Sequence, residues 1–230
     1  TNDQGGKSIM IGGKAKVTVT AKTTAASQNA SVAHANKDFI IQDNASFTGT
    51  STATASGSYG VFAKGEIIIN TTGNIDIDCS ASSGSYAFRG MSGVDIKNVT
   101  LMTLNKAATG SFIVGSQNLS RVAVNIKDNI ATYRGGTPYE LKVLNGQITA
   151  VQEGQIGVPY QGLENDEITI KANTIANFEF VKWTNGDGTD IDSSLFVSPT
   201  GEGSPEAKIK MPAKDMNIKA EYKSTLFTVQ

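Results

Sequence analysis

The chain is poor in the residues on which most enzymes and small disulfide-built scaffolds depend. It has one cysteine, Cys79, which excludes an internal disulfide, and one histidine, His34, which excludes any multi-histidine metal site. Charged residues are scarce at 18%, and 20 basic against 21 acidic groups leave a net charge of −1, which argues against a protein that tracks nucleic-acid phosphates. No apolar run approaches the roughly 18 residues needed to span a bilayer. Proline is missing from the amino-terminal part altogether: Pro138, Pro159, Pro199, Pro205 and Pro212 all come later, as does the only tryptophan, Trp183.

What replaces these is small and polar. Thr, Gly, Ser and Asn together supply 85 of the 230 residues, a composition that suits turn-rich β structure better than helix. The chain also changes character along its length. Residues 1–136 hold 12 basic and 8 acidic groups and a single glutamate, Glu66, whereas residues 137–230 hold 8 basic and 13 acidic groups. Such a shift, punctuated by Gly135-Gly136-Thr137-Pro138, predicts two domains, residues 1–136 and 137–223, with 224–230 as a tail.

The first domain repeats itself. Ser31-Val32-Ala33-His34, Ser58-Tyr59-Gly60-Val61, Ser85-Tyr86-Ala87-Phe88 and Ser111-Phe112-Ile113-Val114 line up at spacings of 27, 27 and 26 residues. Phe39-Ile40-Ile41, Ile67-Ile68-Ile69, Val94-Asp95-Ile96 and Val122-Ala123-Val124 form a second column. Residues 17–19, Phe47, residues 75–77 and residues 99–101 form a third. A repeat of about 27 residues with three short apolar patches and no helical stretch is too short for strand–helix–strand crossovers. It is met most economically by a coil of three strands per turn, a parallel β-helix of four to five coils. Residues 1–16 begin or cap the first coil, and the second domain is expected to cover the other end.

Alternation assigns the faces. In Asn74-Ile75-Asp76-Ile77-Asp78-Cys79 the apolar set points inward, which makes Cys79 a core thiol, and Asp76 and Asp78 point outward. The same rule places the columns Val32, Tyr59, Tyr86, Phe112 and His34, Val61, Phe88, Val114 inside, and leaves Phe62 and Arg89 outside as candidates for ligand contact. Asn70, Asn98 and Asn125 are expected to form a turn ladder. His34 reads as a structural or exposed residue, since no Ser-His-Asp context accompanies it.

The second domain reads as five or six antiparallel strands. Residues 141–144, Asn145-Gly146 and residues 147–151 resemble a hairpin with a type I′ turn. Residues 167–172, 178–183, 207–211 and 216–222 are further strands, with Pro212-Ala213-Lys214-Asp215 turning into the last. Leu141-Lys142-Val143, Asn145-Gly146, the 167–172 strand, Phe180-Val181-Lys182-Trp183 and the run from Met211 to Tyr222 occur in the order of the divergent internalin-type B-repeat, also called the Listeria–Bacteroides repeat. That family's pattern is a glycine turn, a G-D-x-V-T-I-x-A strand, an F-x-x-W strand and a closing M-P-A-x-D-x-x-I-x-A-x-Y. Residues 139–223 resemble this family, with Asn165 where glycine is usual and a longer loop over 185–206. The resemblance implies a small β-grasp-like fold with Trp183 in its core, used as a spacer or adhesion module on secreted and surface bacterial proteins, with no catalytic residues to carry over. Residues 14–130, through the coil pattern of Tyr59-Gly60-Val61-Phe62-Ala63 and the Glu66-Ile67-Ile68-Ile69 that follows, resemble bacterial β-helical carbohydrate-binding domains.

Catalytic equipment is sparse. Hydrolases place two carboxylates across a scissile bond, and lyases on β-helices use a carboxylate-held cation with an Arg or Lys base. Asp76 and Asp78 share a face and a neighbouring coil offers Asp95 and Lys97 or Arg89, yet charges on an outward strand are usually only solvated. The run Asn185-Gly186-Asp187-Gly188-Thr189-Asp190-Ile191-Asp192 is the best cation-like motif, with Asp187, Asp190 and Asp192 as oxygen ligands for Ca2+. It lacks the glycine and glutamate register of an EF-hand, and the same residues serve as ordinary turn formers.

These readings lead to an all-β, non-catalytic bacterial protein, secreted or on the cell surface, with its export signal removed. Its β-helix presents a surface, including Phe62, Asp76, Asp78 and Arg89, to extracellular carbohydrate or to a host or neighbour cell. No cofactor is expected beyond Ca2+ at the aspartate run. The alternatives are a small polysaccharide lyase or hydrolase and a purely structural stalk. Oligomeric state is left open.

Overall fold

The computed structural model describes residues 6–23, 30–53, 59–81, 85–198 and 200–226. The chain divides into two compact units, Thr1–Gly136 and Thr137–Gln230.

The first unit is a parallel β-solenoid. Its strands are β1 (Ile9–Ile11), β2 (Lys16–Thr23), β3 (Ser31–Ala35), β4 (Phe39–Asp43), β5 (Ser46–Ala53), β6 (Tyr59–Ala63), β7 (Glu66–Thr71), β8 (Ile75–Cys79), β9 (Tyr86–Gly90), β10 (Gly93–Lys97), β11 (Met102–Lys106), β12 (Ser111–Val114), β13 (Gln117–Leu119), β14 (Val122–Lys127) and β15 (Ile130–Gly135). Every third strand from β1 to β13 stacks on the one three before it. A first sheet runs β1-β4-β7-β10-β13, a second contains β2-β5-β8-β11, and a third runs β3-β6-β9-β12, all in parallel register. Three strands per turn is the winding that the repeat length demanded.

The core is the line of apolar side chains that the winding turns inward. Phe39, Ile41, Ile67, Ile69, Val94 and Ile96 come from the first sheet. Phe47, Ile75, Ile77, Cys79, Met102 and Leu104 come from the second, and Val61, Ala63 and Phe88 from the third. Each fully buried Ile or Phe contributes about 1.5–3 kcal/mol of transfer free energy, and their β-branched or aromatic shapes suit a pleated surface. Cys79 is fully buried, and that burial, followed by the charge of Asp78, pushes its thiol pKa up to about 12. At the corners after β4 and β10, Asp43 and Asn98 take positive φ values of 64° and 50°, which short Asx side chains tolerate.

Three expectations about register are corrected. Residues 122–124 are not the fourth rung of the first sheet: β13 takes that place, with Val94 opposite Gln117 and Ile96 opposite Leu119. Residues 122–127 instead form a hairpin, β14–β15, turned at Asp128 (φ 54°), and β15 lies antiparallel on β11. The reversal ends the parallel stacking of the second sheet. The third-column strand of the last coil is β11, with Met102 opposite Ile75, and not residues 99–101; Val99 is buried in the turn before it. The asparagine ladder is confined to one pair, Asn98 Nδ2 donating to Asn70 Oδ1 at 3.0 Å, because Asn125 lies in the hairpin.

The second unit contains β16 (Tyr139–Leu144), β17 (Gly146–Val151), β18 (Tyr160–Gly162), β19 (Glu167–Ala172), β20 (Phe178–Asn185), a 3-10 turn (Ser193–Leu195), β21 (Glu206–Lys210) and β22 (Met216–Ser224). They make two small sheets, β18-β16-β22-β20 and β17-β19-β21, antiparallel except for the β16–β22 pair. Leu141, Ile218 and Trp183 from one sheet and Ile168, Ile170 and Ile209 from the other form its core.

The hairpin expected at Asn145-Gly146 does not form. Asn145 takes φ 58° and the chain turns, but β16 pairs with β18 and β22 while β17 pairs with β19. The glycine is there for space: a Cβ on Gly146 would lie 2.7 Å from Trp183 Cη2 and 2.8 Å from the Lys171 carbonyl oxygen. Trp183 itself is fully buried and donates Nε1–H to the Ser204 carbonyl at 2.8 Å.

Candidate functional site

The third sheet of the solenoid departs from simple alternation, and this creates the most chemically distinctive surface of the first unit. The register pairs Ser31 with Tyr59 and Tyr59 with Tyr86, then Ala33 with Val61 and Val61 with Phe88, passing over Val32, Gly60 and Ala87. In β6 and β9 the second, third and fifth residues are buried and the first and fourth are half-buried. Two adjacent residues facing inward shift the phase by one. A Cβ on Gly60 would stand 2.4 Å from Ile77 Cγ2 and 2.4 Å from the Ala87 carbonyl oxygen, so Gly60 lies hard against the core.

The consequence is a correction. Tyr59 and Tyr86, expected inside, sit on the outer face with Phe62 and Arg89, and of the column His34, Val61, Phe88, Val114 only the middle pair, Val61 opposite Phe88, is in register and inward. His34 pairs with Phe62, and Phe62 and Val114 each pair with Arg89. His34 is exposed, while Val61 and Phe88 are fully buried. Ser58, the second member of the expected serine column, lies outside the described residues.

The outward side chains meet as a group. The His34 and Phe62 ring centroids are 4.6 Å apart, Phe62 and Tyr59 are 5.5 Å apart, and Tyr59 and Tyr86 stack at 5.7 Å with 14° between their planes. Arg89 sits among them, its Cζ 5.6 Å from the Tyr59 centroid, 5.8 Å from Tyr86 and 5.9 Å from Phe62. Arg89 Nη1 donates to the Tyr59 hydroxyl at 2.9 Å. Ring pairs and cation–π contacts of this kind contribute about 0.5–1.5 kcal/mol each. The row continues into Ser31 on β3 and Ser111 on β12, both small. The sequence had marked Phe62 and Arg89; it placed Tyr59 and Tyr86 inside in preference to a sugar-stacking ladder, and it missed His34. The signal was present in the small residues at the second and fifth positions, Gly60 and Ala63, then Ala87 and Gly90, which mark where the backbone presses inward.

Asp76 and Asp78 lie elsewhere. They project from β8 on the second sheet, Asp76 between Thr48 and Thr103 and Asp78 between Thr50 and Asn105. Burial, and after it the charge of Asp78, raise the pKa of Asp76 above its usual 3.8. Their expected companions do not join them: Asp95 and Lys97 pair with each other at 2.8 Å on β10 of the first sheet, and Arg89 belongs to the third. Both carboxylates therefore stand side by side on one strand.

In the second unit, Asp187, Asp190 and Asp192 line one cleft of about 490 Å³ together with Lys214, Asp215 and Asn217. Each is already engaged. Asp187 accepts from Thr189 N at 3.0 Å and Thr189 Oγ1 at 2.6 Å, Asp190 pairs with Lys182 at 2.5 Å, and Asp192 accepts from Ser194 N at 2.9 Å. Hydrogen bonds from Thr189 lower the pKa of Asp187, and those from Ser194 lower that of Asp192. Among the described residues no three His, Cys, Asp or Glu side chains converge as metal ligands. No described helix is long and apolar enough to cross a membrane.

Comparison of the chain with protein-family models, with curated proteins and with solved structures found no match in any of the three.

Proposed function

We propose that the chain is a non-catalytic bacterial protein, secreted or displayed on the cell surface, whose solenoid binds extracellular carbohydrate or the glycans of a host or neighbour cell. The second unit acts as a B-repeat-like spacer or cap. The observation that carries this reading is the outward row of His34, Phe62, Tyr59, Tyr86 and Arg89. Aromatic rings at a surface offer apolar area to the C–H faces of sugars, and a guanidinium offers fixed donors to their oxygens. The resemblance of residues 139–223 to the B-repeat supports the spacer role and the extracellular setting.

The test is a glycan array probed with the full chain, followed by incubation of any bound polysaccharide with the protein. Binding without release of product, lost in Tyr86→Ala, supports the reading. Absence of binding to every glycan leaves the structural stalk.

A small polysaccharide lyase or hydrolase is the second reading, and the raised pKa of Asp76 beside Asp78 favours it. Two carboxylates on one strand do not bracket a scissile bond, which is why binding is preferred. Turnover of a polysaccharide that disappears in Asp76→Ala would establish the enzyme instead.

A further inference from the structure

The second sheet of the solenoid is finished differently at its two ends. One end is turned back by the β14–β15 hairpin. The other is β2, the last strand in the order, paired with β5 alone. β2 is long for an edge, eight residues from Lys16 to Thr23, with no proline and an unbroken register. In a parallel ladder every second residue turns its N–H and C=O away from the partner strand, and from Lys16 to Lys22 no described group meets them. The side chains repeat the pattern. Val17, Val19 and Ala21 point inward yet are only half-buried, as are Ile9 and Ile11 of β1. Phe39, Ile41 and Phe47, which stack on Ile9, Ile11 and Val17 one coil further in, are at most 1% exposed. The described residues cover the inner face of the first coil on one side only.

A long flat edge is a template for another strand, and its charges select which strand. The outward side chains of β2 are Lys16, Thr18, Thr20 and Lys22, all exposed. Neither lysine has an ion pair or a side-chain hydrogen bond among the described residues. Opposite them β5 offers Ser46 and Thr52, and no acid stands anywhere along it. A second copy of the chain would bring the same two lysines to the seam, so cations would meet there without an acid and repel. From the free edge, the half-covered apolar face and the two unpaired cations we infer that β2 accepts a strand donated by a partner protein. That strand is an extended acidic segment, apolar at every second position, with Asp or Glu beside Lys16 and Lys22. Its backbone continues the ladder, its apolar side chains cover Val17, Val19 and Ala21, and its two carboxylates pair with the lysines. The lysines stand six positions apart, a spacing that reads the same in either strand direction. The edge belongs to a different sheet from the aromatic row, and the inference does not depend on the glycan reading.

Fluorescence anisotropy with the full chain and labelled synthetic peptides of the length of β2 tests it. The acidic peptide has valine at every second position and, between the valines, glutamate, threonine, threonine and glutamate in turn. A basic peptide carries lysine in place of both glutamates, and a third peptide keeps the glutamates but has proline at its central valine, which breaks the ladder. The expected result is saturable binding of the acidic peptide, at least tenfold tighter than of the other two, with slowed amide exchange in β2. The paired charge reversal Lys16→Glu with Lys22→Glu should invert the preference toward the basic peptide. Circular dichroism checks that this variant folds; if it does not, the single variants Lys16→Gln and Lys22→Gln, each expected to weaken the acidic peptide several-fold, take its place. Equal binding of the acidic and basic peptides, or a preference unmoved by the substitutions, overturns the inference. Equal binding of the proline peptide overturns it in favour of charge attraction without strand addition. Self-association of the chain through β2, seen by sedimentation and by slowed exchange there without peptide, overturns it in favour of a second copy. Binding of none of the peptides overturns it outright.

Discussion

Arg89 Nη1 and the Tyr59 hydroxyl lie 2.9 Å apart, on adjacent coils and 30 residues distant in sequence. The bond fixes the direction of the guanidinium and leaves the ring stack in place. Tyr59→Phe removes only the hydroxyl, so the stack with Tyr86 persists and the arginine loses its tether. The expected outcome is an unchanged melting temperature and several-fold weaker binding of the glycan that the array identifies. Unchanged binding would show that the hydroxyl does not position Arg89 for the glycan.

Gly60 tests the phase shift that turns the tyrosines outward. Its missing side chain would collide with Ile77 and with the Ala87 backbone, neither of which can withdraw without moving a strand. Gly60→Ala should lower solenoid stability by about 1–3 kcal/mol, in the range of overpacked cores. Gly201→Ala, where nothing lies within 4 Å, is the control and should leave thermal unfolding unchanged. Equal melting temperatures for the two variants would mean that Gly60 is not pressed into the core.

In the second unit, Gly146→Ala should drive the indole of Trp183 out of position. Trp183 is the only tryptophan, so its fluorescence reports this core alone. We expect a red-shifted emission and an earlier fluorescence transition. The solenoid, whose core is a separate cluster, should keep its melting behaviour in circular dichroism. A single unfolding step, shifted equally in both signals, would contradict independent cores.

Asp76 predicts a dependence on pH. The folded protein raises its pKa, through burial first and the Asp78 charge second, so the native state holds the proton more tightly than the unfolded chain. That contribution is present at acid pH and is lost as the pH rises through the elevated value. Asp76→Asn should therefore raise the melting temperature at pH 7. The gain should shrink as the pH falls toward the ordinary carboxylate value of 3.8. A gain of equal size at every pH, or a loss at pH 7, would refute the assignment.

Much of the solenoid was legible from periodicity. A 27-residue repeat with three apolar patches leaves few windings, and the pairing of Ile67 with Phe39 and Val94 follows from apolar residues stacking at one strand spacing. Legibility failed wherever two local solutions shared the same letters. Val122-Ala123-Val124 looks like another rung, but the turn at Asp128 lets it pair with the strand that follows. Asn145-Gly146 looks like a hairpin turn, but β16 finds a better partner in β22, more than 70 residues on.

The site divides in the same way. Alternation identified Phe62 and Arg89 as outward, because neither fits beside the buried Val61 and Phe88. It placed Tyr59 and Tyr86 on the wrong side, because alternation assumes one residue per pleat, and two successive inward residues in β6 and β9 break it.

The amino-acid order alone determined the winding, the two-part organisation and the inward apolar lines, since each follows from local spacing and composition. The tertiary structure alone decided which residues share the outer row, where the parallel stacking stops, and that Arg89 faces three aromatic rings. Those outcomes depend on register between strands some 27 residues apart, and register is settled by how side chains such as Ile77 and the backbone at Ala87 crowd Gly60 in three dimensions.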